Sequence, residues 1–179
     1  MDEKTAEIRL QFTDNQWPLT TITHTRQIVR AMVVDRAENF YFVRVDRDDE
    51  FGKATLIETA GGGVEPGETH LDALCREMGE ELGATVEILG KIGVVEDDYH
   101  LICRHNVNHY YLCRAVAFGA KNLTRDEVEQ FHLSTLKLTY DQAVAEYEMR
   151  RNTPLGRLIA RRELPILHRA KEMLDALKN

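Results

Sequence analysis

GGVEPGETHLDALCREMGEELGA, residues 62–84, combines a glycine-rich approach with a helix that carries an unusual side. Thr69 and Asp72 form a capping-box-like helix start, and Gly83 sits where a helix stops. The residues between them favour helix, so the spacing predicts one helix over about 69–82. At about 100° per residue, Leu71, Leu74, Cys75, Met78 and Leu82 share a stripe with the i, i+3, i+4, i+7 spacing of a core-facing surface. That reading makes Cys75 a buried small hydrophobe. Glu77, Glu80 and Glu81 stand at i, i+3 and i+4 and share a second face, roughly 120° from the stripe.

Carboxylates at that spacing repel one another, and a helix gains nothing from them alone. Most acidic triplets are simply a solvated face, so these three need a further reason to be read as chemistry. A divalent ion would compensate the repulsion. Carboxylate oxygens are hard ligands, and with no His or Cys clustered beside them they favour Mg²⁺ or Mn²⁺ over Zn²⁺. Mg²⁺ usually shares itself with phosphate oxygens, which ties such a site to phosphate chemistry. Arg76, adjacent to Glu77 and four residues before Glu80, is placed to hold a carboxylate in one rotamer.

The further reason lies in the rest of the spacing: Gly62, five residues, Glu68, seven residues, then Arg76-Glu77-Met78-Gly79-Glu80-Glu81-Leu82-Gly83-Ala84. This resembles the full Nudix box, departing only at Ala84, where that family usually has a larger aliphatic residue. The resemblance implies a Nudix-type α/β/α sandwich with a mixed sheet, MutT-like, and metal-dependent hydrolysis of a diphosphate linkage by water attack at phosphorus. By similarity, Glu77, Glu80 and Glu81 would ligate Mg²⁺ or Mn²⁺, joined by the Gly62 carbonyl, with Glu68 and Gly63 in support. The general base would be a box glutamate or a later carboxylate among Glu96, Asp97 and Asp98, or Asp126, Glu127 and Glu129, with Glu127 favoured.

The implied substrate is a nucleoside diphosphate joined to another group: an NTP or oxidised NTP, ADP-ribose or a nucleotide sugar. Two other classes stay open, a Nudix-fold nucleotide sensor without catalysis and an isopentenyl diphosphate isomerase-like enzyme. The intact box favours catalysis, since those relatives often carry degenerate ones. For substrate binding, Arg30, Arg44 and Tyr99 are the leading candidates. Arg26 and Arg104 are further candidates to bind phosphate, and Tyr41, Phe51 and Tyr110 further candidates to stack on a base. His100, His105 and His109 lie close in sequence but lack the spacing of a second metal site.

Outward from the box, residues 26–45 read as a β-hairpin about a polar turn at 36–39, and residues 46–52 as a charged surface loop. A short strand at 56–59 runs into Gly61, Gly62 and Gly63. Further strands are expected near 86–95, 109–117 and 131–138, and an amphipathic helix over 140–150. The C-terminal extension, about 155–177, looks helical, and Pro165 is expected to divide it.

The whole, 1–179, is expected to form a single domain, since 179 residues with 43% hydrophobic composition can bury one core. The formal charge of −7 argues against a nucleic-acid polymer as partner, which would need a basic surface. It allows a small nucleotide-like diphosphate, because a bound cation supplies positive charge locally. Cys75, Cys103 and Cys113 form no CxxC pair, Asp2, Glu3 and Lys4 open the chain without an apolar run, and no stretch is long enough to span a membrane. The expected location is cytoplasmic. Leu155, Leu158, Ile159, Ile166, Leu167, Met173, Leu174 and Leu177 in the tail would cover either the sheet or a second copy in a homodimer.

Overall fold

The structure, a computed structural model, describes residues 6–123, 125–129 and 131–178, and the side chains of 125 and 126 lie outside that description, as do Asp2, Glu3 and Lys4. The strands are β1 (Ile8–Phe12), β2 (His24–Val34), β3 (Phe40–Asp49), β4 (Gly52–Glu58), β5 (Ala60–Gly63), β6 (Ala84–Tyr99), β7 (Arg104–Phe118) and β8 (Ser134–Leu138). The helices are α1 (His70–Glu77), α2 (Arg125–Glu129), α3 (Tyr140–Met149) and α4 (Pro154–Ala176). One mixed sheet runs β1-β6-β7-β2-β3-β4, with β5 also paired to β2 and β8 to β3.

The long strand β2 organises this sheet. β7 runs parallel to it along its whole length, from His24 to Val34. On its other edge β5 pairs antiparallel with Ile28–Ala31, and β3 takes over only at Val33 and Val34. The sheet therefore opens between β5 and β3.

Strand alternation sorts the core into two layers. Val29, Ala31 and Val33 face Ala73, Leu74, Met78 and Leu82 beneath α1. Met32, Val34, Phe40 and Leu112 face the other way, against Tyr147 of α3 and Ile159, Ile166 and Leu167 of α4. The result is the expected α/β/α sandwich with a C-terminal helical extension, and the tail's Leu155, Leu158, Ile159, Ile166, Leu167 and Leu174 pack in the chain's own core with Met173 against them, whereas Leu177 is exposed.

Several local expectations need correction. Asp46 to Gly52 is not a loop. β3 continues to Asp49, turns over Glu50 and Phe51, and pairs back through Asp48↔Lys53 and Asp46↔Thr55. Ladder bonds and opposite charges across the strands hold this polar segment extended, helped by Gly52 at φ +91°.

Pro165 does not divide the tail, since α4 is continuous over 23 residues. An interior proline costs a helix about 3 kcal/mol. Burial of Leu164, Ile166 and Leu167 beside it contributes about 1.5–3 kcal/mol each, which outweighs that cost.

The helix after the glycines is also not uniform. α1 gives way to a π-helical turn over Met78–Leu82, closed by Gly83 in the left-handed region at φ +64°. Its buried side holds Leu74, Met78 and Leu82 but also Glu77 and Glu81, whereas Leu71 and Cys75 are exposed. The helix sits over β5, whose glycines leave room for carboxylates where a core would otherwise demand carbon.

Candidate active site

Gly62 and Glu77 are fitted to each other. A Cβ on Gly62 would lie 2.3 Å from Glu77 Oε1, so the carboxylate occupies the space that the glycine leaves. Gly61, at φ +147°, brings its backbone N–H to Glu81 Oε2 at 2.8 Å. Glu77 and Glu81 are only 8% and 7% exposed, while the Glu80 side chain remains more open.

Arg76 ties the acidic group together. Its Nε and Nη2 donate to both oxygens of Glu68 at 2.9 and 3.0 Å, its Nη1 to Glu77 Oε1 at 2.8 Å and to Glu80 Oε2 at 3.1 Å. Nη2 also donates to the Gly63 carbonyl at 3.0 Å, so the guanidinium links helix to loop. These bonds to Glu68 first, and then to Glu77, hold the arginine firmly charged, and Glu68 in turn is pulled below its usual value.

Burial pushes the Glu81 carboxyl up to about 8, against the pull of the Gly61 N–H and with the Glu77 charge adding to the rise. Glu77 is likewise raised, by burial first, although Arg76 opposes it. Two half-compensated carboxylates under backbone with no side chain are what a hard divalent cation fits, in donor chemistry and in space. Among the described residues no three His, Cys, Asp or Glu side chains stand in closed ligand geometry, because Glu77 and Glu80 turn to Arg76.

A cleft of about 300 Å³ opens beside Glu81, where β5 and β3 part. Arg26, Arg30 and Arg47 supply its positive wall, Phe131 and Leu133 an apolar one, and Glu127 of α2 also faces it. Arg30 is held in place by Asn108 Oδ1 and the Thr59 carbonyl, both at 3.1 Å, and by Glu58 at 3.5 Å. Such a clamped arginine can meet a phosphate with little ordering left to do.

The structure gathers Glu68, Gly63, Glu77 and Glu80 around Arg76, sets Gly62 against Glu77, and places Glu81, Arg30 and Glu127 in the cleft's wall. It does not gather Arg44, which pairs with Asp46 at 3.3 Å on the surface. Tyr99 is buried, accepts from Arg162 Nη1 at 3.0 Å and meets Phe51 edge-on, outside the cleft wall.

Of the other acids proposed as bases, Glu96 and Asp98 flank His105, and Asp97 is buried against Arg162 and Asn108. The Asp126 side chain lies outside the described residues. His100, His105 and His109 have separate partners and do not converge. Tyr110 is a core residue donating to Glu163 Oε1 at 2.8 Å. Sequence reading misses Arg47, which falls in the charged stretch that reads as a surface loop, and Glu58 and Asn106, which carry no signal of their own in the sequence.

The NUDIX domain family model matches residues 24–154. No curated protein matches the chain significantly. Among solved structures, a NUDIX hydrolase from Nitrosomonas europaea is similar at TM-score 0.61 and 18% identity, over 86% of this chain and 90% of that one. A MutT NUDIX hydrolase from Burkholderia pseudomallei is similar at TM-score 0.52 and 25% identity, covering 66% of this chain and 85% of its own. A MutT protein from Methanosarcina mazei gives 0.54 and 16%, with 70% and 85% covered. A family match across well over half of the sequence, on a fold these proteins share, is decisive: the chain belongs to the NUDIX domain family, as a MutT-like Nudix hydrolase.

Proposed function

We propose that the protein uses Mg²⁺ or Mn²⁺ to hydrolyse the diphosphate linkage of a nucleoside diphosphate joined to a second group, as in an NTP, ADP-ribose or a nucleotide sugar. The observation that carries this reading is that Glu81, one helical turn from Glu77 and next to Glu80, lines a cleft walled by Arg26, Arg30 and Arg47. Acids alone would suit many cations; acids beside three arginines suit a cation that arrives with phosphates.

When bound, the ion neutralises diphosphate oxygens and acidifies a water for attack. Glu77, Glu80 and Glu81, with the Gly62 carbonyl, would hold it, and Arg76 keeps Glu77 and Glu80 oriented. Arg26, Arg30 and Arg47 bind the phosphate oxygens and stabilise the charge that builds on them. Glu127 takes the proton as the water oxygen bonds to phosphorus. The bridging P–O bond then breaks, and the other phosphate leaves with its electron pair. No covalent enzyme intermediate is required.

The test is turnover of a panel of canonical and oxidised NTPs, ADP-ribose, nucleotide sugars and dinucleoside polyphosphates, with Mg²⁺, Mn²⁺ or EDTA. Nucleoside monophosphate release that needs the metal is expected for one class. Release that persists in EDTA, or tight binding of one ligand with no turnover of any, would overturn the proposal.

A further inference from the structure

Past Arg30, Arg47 and Glu58, which also border the cleft, lies a recess of about 150 Å³. Sites that take a whole small ligand are typically about 300–1,000 Å³, so this one suits a single group of a larger molecule. Arg30, Arg47, Arg104 and Arg162 all face it, together with the carboxylates of Glu50 and Glu58. Arg162 is committed to Glu58, Asp97 and Glu163, Arg30 to Asn108 and the Thr59 carbonyl, and Arg47 to Asp49.

Arg104 differs from these. No described residue forms a hydrogen bond or ion pair with its guanidinium, and its Nε is buried without a partner. Asn106, two residues along β7 on the same face, is 1% exposed, and its Oδ1 is also buried and unpartnered. Arg26 lies opposite Asn106 across the β2–β7 ladder and adds positive charge.

Burial, then the charges of Arg26 and Arg30, push the Arg104 pKa down. Asp97, across from Asn106 on β6, is already taken by Arg162 and Asn108. A buried donor or acceptor with no partner costs about 1–3 kcal/mol. Two side by side in a cavity, beside an arginine with no described ion-pair partner, are a site awaiting a ligand with both an anionic acceptor and a donor.

Resting on the hydrolase reading above, we propose that this recess is a sugar-phosphate subsite: Arg104 Nε–H donates to the oxygen of a phosphoester, and Asn106 Oδ1 accepts from a neighbouring hydroxyl. The preferred substrate is then a diphosphate whose distal sugar carries an additional phosphate. Arg30, shared by cleft and recess, spans the two.

The test uses the full, metal-free protein labelled with ¹⁵N, titrated with inorganic phosphate and separately with ribose 5-phosphate. The Arg104 Nε–H resonance, assigned by its loss in Arg104→Gln, is expected to shift saturably with both. Ribose 5-phosphate should bind about tenfold tighter, the worth of one further hydrogen bond. Asn106→Leu should erase that difference. Should Arg104→Gln melt early, Arg104→Lys keeps the charge but displaces the donor, and should weaken both ligands about tenfold.

No shift with either ligand overturns the subsite, and equal affinity for the two overturns its sugar-phosphate character. In turnover, NADP⁺ against NAD⁺ and coenzyme A against its dephospho form give pairs that differ by one sugar phosphate. At least one phosphorylated member should show a higher kcat/KM, an advantage lost in Arg104→Gln. Binding at Arg104 without turnover of any substrate refutes hydrolysis and leaves the subsite standing, whereas turnover without the Arg104 shift refutes the subsite alone.

Discussion

At Gly62 a single absent carbon shapes the site. Its backbone is ordinary extended strand that alanine could adopt, yet the methyl would fall 2.3 Å from Glu77 Oε1. Gly62→Ala should therefore spare the fold and displace the carboxylate. Turnover is expected to drop at least about tenfold, a rise of about 1.4 kcal/mol in barrier, while the melting temperature moves by only a few degrees. Unchanged turnover in this variant would separate Glu77 from the reaction. That Glu77, Glu80 and Glu81 share a side was legible from their spacing alone. Their depth was not: helical periodicity predicts which residues lie together, but only the missing side chains of β5 decide that Glu77 and Glu81 turn inward while Leu71 and Cys75 turn out.

At the scale of elements, the turn between β2 and β3 shows how a charged residue sets a hairpin. Asp35 Oδ1 accepts from the backbone N–H groups of Ala37 and Asn39, and Lys137 of β8 pairs with its other oxygen at 2.7 Å. Burial alone would raise this carboxyl, but Lys137 and the Asn39 and Ala37 donors bring it down to about 2. The folded value lies below the roughly 3.9 of an unfolded aspartate, so its stabilisation is present above that pH and is lost as pH falls from about 4 to about 2.

Asp35→Asn should accordingly be less stable than the parent at pH 7, with the gap closing by pH 2 in denaturant unfolding. A gap independent of pH would contradict the assignment. This hairpin was readable in the sequence from its polar turn between two apolar runs. The extension of β3 through Asp46–Asp49 was not, because ladder pairing with β4 is a non-local reward that composition does not reveal.

Across the whole molecule, α4 is joined to the sheet beneath the cleft by a buried polar cluster. Arg162, 2% exposed, contacts Glu58, Asp97 and Glu163, and Glu163 accepts from Thr59 and Tyr110. Arg162→Leu would leave several buried carboxylates without their cation, so a loss of about 3–5 kcal/mol is expected in urea unfolding. A loss below about 1 kcal/mol would show the cluster to be dispensable. Its members come from β4, β6, β7 and α4, distant in sequence, which is why the tail was readable as apolar and helical but not as a support for the site. No described helix is long and apolar enough to cross a membrane.

The most direct test of the central claim compares the parent with Glu80→Gln and Glu81→Gln on whichever diphosphate the protein cleaves in Mg²⁺. Loss of at least about 100-fold in kcat, with the fold retained, is the predicted result. Near-parental turnover in both variants would mean that the chemistry does not reside on these glutamates.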